Sequence, residues 1–135
     1  MESKLRATTF HETMKNIFEY RNWNSTKFEN KTGLAKINYT RAMKENHNPT
    51  IRTIITICVA LDINMMMTNY LLELKGFKLT MNDKVHRAYA YLIENFKGSD
   101  IEDCNIILAK MGVEEKNFLV LNQLNSYFYS KQAMS

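Results

Sequence analysis

Ile51, Ile54, Ile55, Cys58 and Leu61 recur at spacings of three and four residues, which on an α-helix lays them along one inward-facing stripe. A helix so apolar belongs at the centre of a core, and its neighbours must pack around it. Thr50 precedes the stripe and can cap it, as a threonine oxygen does for the first free amides of a helix. The chain has only four Gly and one Pro, while 45% of its residues are hydrophobic. An all-β fold needs more turn residues than that, so the expected class is all-α. At 135 residues the chain suits one compact unit or two small ones.

The remaining helices are legible from their caps. Thr9 and Glu12 form a capping box ahead of Phe10, Met14 and Ile17, predicting a first helix to about Arg21. Asn24 caps a second, with Trp23 before it and Phe28 beyond it as a hydrophobic staple. Gly33 follows after about two turns and offers the positive φ of a sharp helix-to-helix turn. A third helix is expected at about 35–45, with Leu34, Tyr39 and Ala42 or Met43 inward. Pro49 then holds Asn48 extended, and the Ile-rich helix and a fifth at 64–74 complete a five-helix headpiece. Beyond Gly76, Thr80 with Asp83 predicts a sixth helix and Ser99 with Glu102 a seventh, ended by Gly112. The stretch from Glu114 to Tyr129 is expected to dock as a last helix or to pair with another chain.

No run reaches the roughly 20 apolar residues of a membrane span, and the N-terminus lacks an apolar signal core, so a cytoplasmic protein is expected. Cys58 and Cys104 have no metal-site or disulfide-framework spacing, and His11, His47 and His86 are scattered. All three histidines read as surface or satisfied side chains, and no cofactor or metal is implied. Asp100, Glu102 and Asp103 suit the positive end of a helix dipole rather than acid/base chemistry. Met65, Met66 and Met67 read as core filler. No phosphate loop or nucleophile set is recognisable, which argues against an enzyme. The net charge is +4, and the first 50 residues hold nine Lys or Arg against five Glu. The whole excess therefore lies where a phosphate-binding face is expected, if there is one.

From Asn24 to Met65 the order of cap, short helix, glycine, basic helix, Asn-Pro and Ile-rich helix resembles the Cro/lambda-repressor-like (XRE) helix-turn-helix family. The stretch from Asn48 to Asn64 is similar to the family's N-P-S-L-x-T-L-x-x-I-A-x-A-L-x-V-S pattern, and Gly33 falls on its inter-helix glycine. The resemblance covers about residues 9–74. It implies a DNA-binding domain at 1–75 and a C-terminal helical region at 76–135 for oligomerisation or regulation. It also implies a homodimeric, sequence-specific transcription regulator whose partner is double-stranded DNA and whose third helix enters the major groove.

By position, the resemblance puts Lys36, Ile37, Asn38 and Arg41 on the groove-facing sites. Arg41 then suits guanine and Asn38 adenine, while Ile37 either meets a thymine methyl or packs inward. Ser25, Thr26 and Lys44 suit phosphate. The sequence departs from the family at Glu29, where a small residue is usual, and at Thr32, where an aliphatic one is. Tyr39 and Ala42 replace two aliphatic residues, and Ala35 replaces a capping Ser or Thr. These departures keep a second expectation open: a protein-interaction module on the same fold that no longer binds DNA and instead sequesters another regulator or senses a peptide.

Overall fold

The computed structural model describes residues 2–120. Among them are seven α-helices and no strand: α1 (Phe10–Tyr20), α2 (Ser25–Thr32), α3 (Ile37–Ala42), α4 (Ile51–Ala60), α5 (Met65–Leu74), α6 (Lys84–Asn95) and α7 (Ile101–Lys110). Short 3-10 turns lie at Glu2–Leu5 and Glu115–Asn117. The all-α expectation is met, and none of these helices is long and apolar enough to cross a membrane.

α4 is the hub. Its residues from Ile54 to Ala60 are all buried, and it packs against α2, α5, α6 and α7. Burial on every side explains why this segment is apolar beyond its stripe: each fully buried Ile is worth about 1.5–3 kcal/mol relative to its exposed state. Thr56, the polar residue in this run, is satisfied by donating to the Arg52 and Leu119 carbonyls at 2.8 and 3.2 Å. The core is continuous from Phe10 to Leu119, so the described part of the 76–135 region shares it with the helices before it. Of the three consecutive methionines, Met67 is core and Met66 is exposed. Cys58 and Cys104 are both buried. Burial, then the nearby Asp103 and Asp100 carboxylates, pushes the Cys104 thiol up to about 12.

The caps read from sequence at Thr9, Asn24 and Thr50 each accept the backbone amide three residues on, and Asn64, expected as the first residue of the fifth helix, caps α5 in the same way. Two others differ. α6 is capped by Asp83 rather than Thr80, its carboxylate accepting the Val85 and His86 amides at 2.9 and 3.1 Å. The hydrogen bond from the His86 amide is the main cause that holds this carboxyl below its usual range. A charged acceptor at a helix N-terminus outcompetes a hydroxyl, and the Thr80 amide donates instead to His86 Nδ1. α7 starts at Asp100 with no side-chain cap, so the Ser99 capping box does not form.

After Gly112 the chain makes one 3-10 turn and then bends over residues 118–120, with Phe118 itself extended, where a helix or partner-pairing segment was expected. The rest of that expectation, from Leu121 on, lies outside the described residues. Phe118 and Leu119 are buried, because Asn105 on α7 holds this stretch by its backbone. Its Oδ1 accepts the Leu119 amide and its Nδ2 donates to the Val120 carbonyl, both at 2.8 Å.

Candidate nucleic-acid interface

The α2–turn–α3 unit is built from four aromatic rings. Phe28, fully buried on α2, meets Phe18, Trp23 and Tyr39 edge-on, at centroid distances of 5.8, 6.2 and 5.7 Å. Tyr39 on α3 stacks on Phe18 of α1 at 4.6 Å and donates its hydroxyl to the Trp23 carbonyl. The Trp23–Phe28 contact is the staple read from the sequence. Tyr39 thus packs against the core, with the small, buried Ala42 on the same helix.

Thr32 is also absorbed. It is fully buried, donates to the Phe28 carbonyl at 2.7 Å and accepts the Leu34 amide at 3.0 Å, so its hydroxyl helps to close the turn where an aliphatic residue would not. Gly33 adopts φ 77°, a left-handed conformation that costs any other L-residue about 1 kcal/mol or more. A side chain there would also meet Val120 Cγ1 at 3.4 Å, so the Asn105-held stretch abuts the turn itself. Glu29 is half-buried.

α3 proper covers only Ile37–Ala42, shorter than the expected 35–45. Its ends are wound as tighter i to i+3 turns, with the Asn38 and Tyr39 amides bonded to Ala35 and Lys36, and the Met43 and Lys44 amides to Thr40 and Arg41. Lys36 stands at the N-cap and makes no side-chain capping bond, since an ammonium offers no acceptor to the first free amides of the helix.

The candidate residues fall into two groups. Thr26, Lys36, Ile37, Arg41 and Lys44 are exposed, whereas Ser25 and Asn38 are half-buried. Ile37 is 53% exposed, which excludes inward packing. Asn38 Nδ2 turns back to the Ala35 carbonyl at 3.3 Å, a long bond that a better acceptor can displace.

At the end of α3, Arg41 and Lys44 line a surface cavity of about 340 Å³ with Glu45, Asn46 and His47. Lys75, from the end of α5, donates to the His47 carbonyl at 2.7 Å and lies 5.5 Å from the centre of the Phe10 ring. Burial first, then the charges of Arg41 and Lys75, holds His47 below its usual value. His47 and Lys75 were not recognisable as site residues in the sequence, because they stand 28 positions apart and only the fold sets the loop after α3 beside the end of α5. A larger cavity of about 650 Å³ is lined by Arg52, Tyr89 and residues around them and includes no residue of α2 or α3.

Among the described residues no group of three His, Cys, Asp or Glu side chains could hold a metal ion. Compared with protein-family models, curated proteins and solved structures, the chain matches none.

Proposed function

We propose that this chain is a sequence-specific DNA-binding transcription regulator of the Cro/lambda-repressor-like kind, with α1–α5 as its headpiece and α3 as its major-groove reader. The observation that supports it best is the pairing of a rigid, aromatically anchored α2–turn–α3 unit with a cationic outer face of Lys36, Arg41 and Lys44. With its side chains an α-helix is about 10–12 Å across, which the roughly 12 Å wide major groove admits. In this reading Arg41 contacts guanine, Asn38 gives up its Ala35 bond for adenine, and Ile37 meets a thymine methyl. Ser25, Thr26 and Lys44 hold phosphates on either side. A homodimer acting in the cytoplasm reads a palindromic operator, because one such unit covers only a half-site.

Arg41→Ala is expected to cost about 1–3 kcal/mol of operator affinity and to relax the choice of base at one position. Lys44→Ala is expected to weaken all sequences alike and to lower the salt slope by about one. Fluorescence titrations of labelled duplexes at several salt concentrations read both effects. Unchanged affinity in Arg41→Ala contradicts its assignment.

The exposure of Ile37 supports a second reading, a protein-interaction module that has given up DNA. An apolar side chain at the centre of a polar face suits a protein partner or peptide as well as a thymine methyl. Retention on heparin no stronger than that of a control protein of equal charge favours this alternative.

A further inference from the structure

We propose that His47 is a proton-linked member of the phosphate contact: DNA seated against Arg41 and Lys44 draws a proton from solvent onto the His47 ring, so duplex affinity rises as pH falls. This rests on the DNA-binding reading above and adds to it a residue and a form of regulation. The geometry is a surface cavity lined by two exposed cations, Arg41 and Lys44, together with the half-buried His47. Lys75 is tied down behind, donating to the His47 carbonyl and lying over the Phe10 ring. The other charged group lining the cavity is the exposed Glu45 carboxylate.

Without DNA, burial, Arg41 and Lys75 all disfavour a charged imidazole. Two events on binding reverse this. A phosphate in the cavity brings negative charge and an acceptor for an imidazolium N–H. If Arg41 swings out to a base edge instead, its positive charge leaves the neighbourhood of His47. Either event raises the proton affinity of the ring, and by linkage the protonated protein binds DNA more tightly than the neutral one. The sign follows: the gain is absent above the bound-state value, grows as pH falls through it and is complete below the free-state value. A tenfold rise in proton affinity gives a tenfold rise in DNA affinity for each bound protomer.

The test is the affinity for a rhodamine-labelled mixed-sequence duplex at constant ionic strength, from about pH 8 to about pH 5.5, spanning the histidine range. The parent, His47→Gln and the double variant His11→Gln, His86→Gln, which keeps His47 as its one histidine, are compared. The expected result is an affinity that rises about tenfold with falling pH in the parent and the double variant and stays flat in His47→Gln, all three agreeing at the alkaline end. Duplex binding whose pH slope survives in His47→Gln, or is missing from the double variant, overturns the proton link and leaves the DNA-binding reading standing. No duplex binding by the parent at any pH overturns both.

Discussion

Phe28→Ala is expected to lower the unfolding free energy by about 3–5 kcal/mol, the usual cost of deleting a fully buried aromatic side chain. Phe28 is 0% exposed and joins three other rings, from α1, α3 and the segment ahead of α2. Its removal leaves a cavity among neighbours that cannot all collapse into it, because Tyr39 is stacked on Phe18 and tethered to the Trp23 carbonyl. A domain of this size has roughly 5–15 kcal/mol in total, so the variant should stand near its unfolding threshold at room temperature. Urea denaturation followed by circular dichroism gives the result: a large drop in midpoint with an unchanged slope. A loss under about 1 kcal/mol would mean that α2 and α3 are not anchored through this ring.

The second large effect is expected at Asn105. The residue is fully buried, and its amide group holds both the Leu119 N–H and the Val120 carbonyl. Asn105→Ala leaves those two backbone groups without the partner that replaced water. At about 1–3 kcal/mol for each unsatisfied buried group, the loss is expected to be about 2–6 kcal/mol. Thr56 still holds the Leu119 carbonyl from α4, so the stretch should loosen rather than leave. Amide hydrogen exchange separates this from a general loss of stability: the Leu119 amide should lose more protection than amides of α1. Equal losses at both places would contradict a local tether. Since Val120 abuts Gly33, a loosened tether should also speed exchange in the turn between α2 and α3.

Much of the fold was legible because its signals are local. Caps at Thr9, Asn24 and Thr50, the Trp23–Phe28 staple, the Gly33 turn and the stripe of α4 each lie within a few residues of the structure they specify. What was not legible depends on residues far apart in the chain. The purpose of Asn105 appears only when the backbone at 119–120 is laid beside it. His47 read as a surface side chain until Arg41 and Lys75 were found around it. The two capping differences at α6 and α7 have a narrower cause. Each segment offers two candidate caps close together, and local pattern alone does not choose between Thr80 and Asp83 or between Ser99 and Asp100.

The candidate interface was legible in part. Lys36, Arg41 and Lys44 stand exposed as their positions on an amphipathic helix require, and Tyr39 and Ala42 face inward. The shortness of α3 was not apparent, since its flanking turns keep a helical rhythm while their hydrogen bonds tighten to i+3. The polar Thr32, a departure from the family pattern, proves compatible with tight packing because its hydroxyl bonds on both sides.

The most direct test of the central claim is selection of bound duplexes from a random-sequence pool at near-physiological salt, with the parent and Arg41→Ala proteins run in parallel. The expected result is a palindromic motif enriched by the parent and blurred at one symmetric pair of positions in the variant. Absence of any enriched motif, with only salt-labile retention of the pool, would contradict sequence-specific reading by α3 and shift the account to the protein-interaction module.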